Sequence, residues 1–271
     1  MSYYGYTDIY KILGCERLHK KTKGEAFVVM GFQRSGTSLL SQLVNACGVF
    51  FGPEDELKQP SITNPDGFFE HKKVSALSWE YFREVGYKNN IDYDANLHTK
   101  NIWQKLSRLV TVRRIHSVLY RLSIRQEKWG IKNFPLFYYV WKDYLPKHKI
   151  IAIYRDPYAS THSFLNIFWP SKFTYEYGLS LWVQAQKDML YHLSQTESLL
   201  IRYEDLIDDT KNTRITQRLV EFIGSGDAQK IRGMIKPSLN RMDKKVLRLR
   251  EWYPSHTEIN ETIKFLDTIK I

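Results

Sequence analysis

The sequence predicts an α/β protein, a single P-loop-like domain whose central sheet is mostly parallel and is flanked by helices. Three observations predict it. Residues 26–30 (AFVVM) and 149–154 (KIIAIY) are short apolar runs of strand length without polar alternation, as expected for strands buried on both faces. Between such runs lie longer stretches with apolar residues at helical spacing, and strands alternating with helices build a parallel sheet. With 271 residues the chain can bury a core of that kind without disulfides or a structural metal.

Taken in order, residues 1–24 read as an N-terminal extension of one domain spanning 1–271. Residues 26–30 form the first strand, and residues 37–47 a helix with Leu39, Leu40, Leu43, Val44 and Cys47 on one side, closed by Gly48. Residues 49–51 are expected as a short second strand. The following stretch, GPEDELKQPSITNPDG, is too rich in proline and acids for a regular element and reads as a lid or an acceptor-facing edge. Helices are expected over 70–84 and roughly 101–128, the second burying Ile102, Leu106, Val110, Ile115, Leu119 and Leu122. After strand 149–154, Asp156 and Pro157 supply an N-cap and a proline at the first helical position. A helix over 175–195, a strand over 198–203 (SLLIRY) and further helices complete the chain. Ligands of such sheets bind at the carboxyl ends of the strands.

Composition excludes several classes. The two cysteines, Cys15 and Cys47, lack CxxC or Cys/His ligand spacing, so neither a disulfide framework nor a metal site is expected. The first twenty residues lack the apolar core of a signal peptide and no run is long enough to span a bilayer, so a cytoplasmic enzyme is expected, with no membrane partner. Forty Lys+Arg against 29 Asp+Glu give a formal charge of +11, which favours an anionic ligand. Eleven Lys/Arg against two acids lie between residues 101 and 150, and eight against one between 228 and 250. Without zinc-finger spacing, an RRM aromatic box or basic-zipper heptads, nucleic acid is not the expected partner.

Two segments carry the chemistry. Gly31-Phe-Gln-Arg34-Ser35-Gly36-Thr37-Ser38 has P-loop spacing, but Thr37 occupies the lysine slot. A glycine loop running from a buried strand into a helix start aims backbone N–H groups at one anion, and the positive helix end adds attraction. Nucleoside triphosphate chemistry also wants Lys on the phosphates and an acid holding Mg²⁺, whereas here Arg34 supplies the charge. The second segment, Arg155-Asp-Pro-Tyr-Ala-Ser-Thr-His-Ser163, puts an arginine at a strand end and a serine two turns into the next helix. An arginine fork plus a hydroxyl suits a second phosphate on the same ligand. Alone, Arg155 could equally be a capping ion pair with Asp156.

Together with NPDGFFE and LLIRYEDL, these segments resemble the sulfotransferases that use 3′-phosphoadenosine-5′-phosphosulfate (PAPS), and more closely their bacterial branch with an R-S-G-T-[ST] loop. The resemblance implies the sulfotransferase fold, PAPS as donor and 3′-phosphoadenosine-5′-phosphate (PAP) as product. It implies that Arg34, Ser35, Gly36, Thr37 and Ser38 bind the 5′-phosphosulfate and that Arg155 and Ser163 bind the 3′-phosphate. Tyr203 of the Y-E-D-L motif lies near adenine in some members. Lys132 in Ile131-Lys-Asn-Phe134 matches the lysine of the Lys-x-His strand found in cytosolic members, although Phe134 stands in the histidine slot, so the base must come from elsewhere.

Bacterial and Golgi-type members place a carboxylate base beyond the helix that follows the loop. Glu54 and Glu70 are the two candidates here, with His71 behind them, and each acid also has an ordinary role as a loop acid or a helix-start acid. Expected catalytic residues are thus Glu54, Glu70, Lys132 and Arg34, and no metal is expected. The acceptor is expected to be a small molecule or carbohydrate carrying a hydroxyl or an amine. Competing readings are a P-loop kinase and a non-catalytic polyanion-binding protein.

Overall fold

A computed structural model of the chain describes residues 22–61, 64, 67–84, 102–168, 174–236 and 257–271. Four strands form one parallel sheet: β1 (Glu25–Met30), β2 (Lys128–Asn133), β3 (His148–Tyr154) and β4 (Ser198–Arg202), in the order β2-β1-β3-β4. Met30 pairs with Asn133 on one side and Ala152 on the other, so the loops leaving β1, β2 and β3 emerge along one edge. The chain turns to opposite sides of β1 to make β2 and β3, which opens a crevice at that edge.

Ten helices are described: α1 (Thr37–Ala46), α2 (Lys72–Glu84), α3 (Ile102–Ser123), α4 (Pro135–Trp141), α5 (Pro157–Phe168), α6 (Tyr175–Gln195), α7 (Tyr203–Leu206), α8 (Asn212–Ile223), α9 (Ala228–Gly233) and α10 (Thr257–Ile269). Side chains alternate across the sheet and make two cores. Ala26, Val28, Met30, Ile150 and Ala152 pack under α2 to α6 and α10. Phe27, Val29, Ile151, Ile153 and Ile201 pack under α1, α8 and α9. The sheet is therefore covered on both faces, as its continuous apolar strands require.

Several expectations from the sequence differ from the structure. The helix expected over 101–128 stops at Ser123, because residues from Lys128 are drawn into pairing with β1. Trp129 is fully buried there and donates from its indole to the Lys23 carbonyl at 2.8 Å, while Gly130 has no Cβ to meet the Phe27 carbonyl, which would lie 2.9 Å away. Tertiary pairing overrides local helix propensity in this stretch. Val110, expected to be buried, is 59% exposed: it sits five residues before Ile115, on another side of α3 from the buried Ile115, Leu119 and Leu122. Residues 49–51 make one bridge, Phe50 with Trp129, and no strand. The acidic stretch after them is partly ordered by pairing: Glu54–Glu56 forms a 3-10 turn, Leu57 bridges to His71, and the Lys58 N–H donates to the Glu70 carbonyl at 2.8 Å. Residues 1–21 of the expected extension, with Cys15, lie outside the described residues. Among the described residues no helix is long and apolar enough to cross a membrane.

Candidate active site

The loop after β1 is shaped by its glycines. A Cβ at Gly31 would lie 2.4 Å from the Ile153 carbonyl, so glycine lets the ends of β1 and β3 close together. At Gly36 φ is +92° and a Cβ would lie 2.3 Å from the Tyr203 ring. Arg34 also takes a left-handed conformation, φ +66°, which costs an ordinary side chain about 1 kcal/mol and recurs at functional sites. The N-cap of α1 is Gly36 itself, with no side-chain cap, so no side chain seals the first-turn N–H groups.

The loop after β3 meets this one. Asp156 Oδ1 accepts the Ala159 N–H at 2.9 Å, the N-cap expected from sequence, and this starts α5 with Ser160 and Ser163 facing the β1 loop. Arg34 Nε donates to Ser163 Oγ at 3.0 Å, and Ser35 Oγ lies 3.5 Å from Ser160 Oγ. Arg155 Nη1 donates to the Arg34 carbonyl at 3.1 Å, and its guanidinium stacks over Tyr203, 4.6 Å from the ring centre. Burial, and then the charge of Arg155, pull the pKa of Arg34 below its ordinary value. Two partly buried like charges repel, and an anion between them would relieve that cost.

A second cluster lies beside Ser38. The buried Lys132 ammonium reaches Ser38 Oγ at 2.9 Å, the Phe68 carbonyl at 2.7 Å and Glu70 Oε1 at 3.3 Å, which engages its three donors. Burial lowers its pKa to about 8 even though Glu70 pulls the other way. Ser38 Oγ also accepts from Asn64 Nδ2 at 2.9 Å. Both lone pairs of this hydroxyl are then filled, and its O–H is left to donate. Glu70 holds Lys132 with one carboxylate oxygen and Lys58 with the other. Burial pushes the Glu70 pKa up, but Lys132 and Lys58 outweigh it and hold the carboxyl below its ordinary value. Phe69, at φ +54°, lies between Phe68 and Glu70 with its ring edge-on to Phe51.

The structure thus separates the three candidate bases. Glu70 joins the Lys132–Ser38 cluster. Glu54 is exposed on the 3-10 turn, where its carbonyl accepts from Gln59 Nε2 at 3.1 Å. His71 is buried with Nε2 2.9 Å from Glu56 Oε2, and its Nδ1 accepts the Lys73 N–H at 3.2 Å. With one nitrogen accepting and the other donating, that ring clamps the turn to α2. Sequence reasoning missed Lys58, Asn64, Ser160 and Glu204. Ser160 stands one turn before Ser163 and was readable by helical spacing. Glu204, from the turn after β4, accepts the Asp156 N–H at 2.9 Å in the loop after β3. Lys58 meets Glu70 only because residues 57 and 71 pair, which no spacing announces.

Among known proteins, a model described as the sulfotransferase family matches residues 26–227, from β1 to the start of α9. No curated protein sequence matches the chain. The sulfotransferase domain of the Synechococcus PCC 7002 olefin synthase superposes with a TM-score of 0.51 at 15% identity, over 91% of this chain and 95% of that one. The sulfotransferase domain from the curacin biosynthetic pathway gives 0.49 at 16% identity over 90% and 98% of the two chains. Retinol dehydratase in a complex with retinol and PAP gives 0.43 at 14% over 83% and 67%. At these identities structural likeness speaks to fold alone, and the olefin synthase domain has the same fold as this chain. The match to most of the chain decides the family: this protein belongs to the sulfotransferase family.

Proposed function

We propose that the protein transfers the sulfuryl group of PAPS to a hydroxyl or amine of a small-molecule or carbohydrate acceptor by in-line displacement, with PAP as the other product. The observation that carries this reading is the meeting of Arg34 and Arg155, two partly buried guanidiniums from the β1 and β3 loops, linked through the Arg34 carbonyl and flanked by Ser163. That pair fits an anion with two separated phosphates better than one with a single polyphosphate tail. Thr37 in the lysine slot argues in the same direction, away from ATP.

In this reading Ser35, Gly36, Thr37 and Ser38 hold the 5′-phosphosulfate against the start of α1, while Arg155 and Ser163 hold the 3′-phosphate. Tyr203 is the platform under Arg155, with Glu204 behind it. Sulfuryl transfer breaks the bond between sulfur and the bridging oxygen, so charge grows on that oxygen as the acceptor attacks. The Ser38 hydroxyl and Arg34 are the donors placed to take it up, and the positive charge of Lys132, 2.9 Å from Ser38 Oγ, adds to the field at that oxygen. Glu70 is the base that receives the acceptor proton, in preference to Glu54, because it is ionised and lies within the Lys132–Ser38 cluster. The reading does not require a metal.

The test is calorimetric titration with PAP, AMP and ATP, with and without Mg²⁺. PAP is expected to bind at least about a hundredfold more tightly than AMP, without Mg²⁺, and Arg155→Ala to abolish that preference. Equal or tighter binding of ATP would remove the sulfotransferase donor from consideration.

A further inference from the structure

The residues on either side of Arg155, Tyr154 by its side chain and Asp156 by its backbone N–H, are held by a network that starts on the C-terminal helix. Asp267 Oδ1 of α10 accepts from the Tyr154 hydroxyl and from Lys270 Nζ at 2.9 Å, and makes an ion pair with Arg202 Nη1 at 3.5 Å. Arg202 Nε in turn donates to Glu204 Oε2 at 3.3 Å, and the other oxygen of Glu204 accepts the Asp156 N–H at 2.9 Å. Lys270 also pairs with Asp205 at 3.0 Å, which fastens α10 to the turn after β4. Residues 154 and 156, the two chain neighbours of Arg155, are thus tied to a common carboxylate, one directly and one through Arg202 and Glu204. Burial and Asp267 both push the Tyr154 phenol pKa up, so it stays a donor across neutral pH.

The end of the chain reinforces the tie. The Ile271 N–H donates to the Leu200 carbonyl at 3.2 Å, so the residues just after α10 sit on β4. Isolated exposed pairs contribute little, but a network that fixes both neighbours of one functional side chain controls where that side chain points. The network reaches the β1 loop through Arg155, whose guanidinium donates to the Arg34 carbonyl, so its influence falls first on Arg155.

Resting on the PAPS reading above, we propose that Asp267 is a positioning residue for Arg155, so that α10 sets how strongly the site distinguishes a ligand bearing a 3′-phosphate from one without it. The experiment is titration of the full chain and its Asp267→Asn, Asp267→Ala, Tyr154→Phe and Arg155→Ala variants with PAP and with AMP. Thermal melts serve as a folding check. The expected result is a fall of about tenfold in the PAP-to-AMP affinity ratio for each Asp267 variant, a smaller fall for Tyr154→Phe, and AMP affinity unchanged in these three. An unchanged ratio in all three, with Arg155→Ala losing it, overturns the role of α10 and leaves the donor assignment intact. Equal loss of PAP and AMP binding in the Asp267 variants also overturns it, since that is damage to the fold. A wild-type protein that does not prefer PAP to AMP, or an Arg155→Ala that keeps the preference, removes the donor assignment itself.

Discussion

The two halves of the site are built differently. The half formed by the β1 and β3 loops is made of consecutive residues: glycines that permit a left-handed turn, an arginine at a strand end, an N-cap and a helix start. The half around Glu70 is assembled from residues far apart in the chain, with Lys132 reaching Ser38 and Phe68, Asn64 reaching Ser38, and Lys58 reaching Glu70. The first is a backbone device and depends on conformation. The second is a side-chain device and depends on tertiary packing. Changes in the first are expected to act on donor affinity, and changes in the second on turnover.

Variants can break or sharpen this division. Glu70→Gln removes the proposed base while keeping size and hydrogen-bonding reach, and turnover at saturating PAPS is expected to fall by about 10²- to 10⁴-fold with PAP affinity little changed. Glu54→Gln in the same assay should match the wild type, and an inactive Glu54 variant beside an active Glu70 variant would reverse the assignment. On the other half, Gly36→Ala forces a Cβ onto the Tyr203 ring at positive φ. A stability loss of about 2 kcal/mol in denaturant titration is expected, with PAP affinity reduced more than turnover.

The pH dependence of kcat/KM, which reports the free enzyme, comes next in size. Lys132 titrates at about 8, below its ordinary value, so it is charged below that pH and neutral above it. Activity is therefore expected to fall about tenfold per pH unit above 8. Glu70, held below its ordinary value by two ammonium groups, should add no acid limb near neutrality. A profile flat to pH 10 would deny Lys132 its part. The smallest effect belongs to Asn64→Ala, which removes one hydrogen bond to Ser38. Turnover should drop by about three- to tenfold, equivalent to the ~1 kcal/mol of one such bond.

The same division explains how far the sequence could be read. β1, β3 and β4 were legible because apolar runs buried on both faces leave little else for those residues to do. The loop 31–38 and Arg155 to Ser163 were legible because glycine, N-cap and strand-end rules are local, and the Asp156 cap was found where it was expected. β2 was placed only through resemblance. Its sequence, KWGIKN, has two lysines, a glycine and an asparagine, and it is a strand because it pairs with β1. Glu54 and Glu70 were indistinguishable in sequence, since both are acids beside turns. What separates them is the pairing of residues 57 and 71, which carries Glu70 inward and leaves Glu54 on the surface.

Ser38 faces a hazard that comes with its place. In the proposed reaction a hydroxyl stands beside an activated sulfuryl group, and an oxygen with a lone pair to spare would be a competing acceptor. Here that oxygen already receives Lys132 and Asn64, so it can donate to the reacting group but has little means to attack it. In that reaction the two contacts that orient the Ser38 hydroxyl also keep it from becoming an acceptor. Intact mass after long incubation with PAPS should therefore show no added sulfuryl group on the wild type. Any such addition should first become visible in the Asn64→Ala variant.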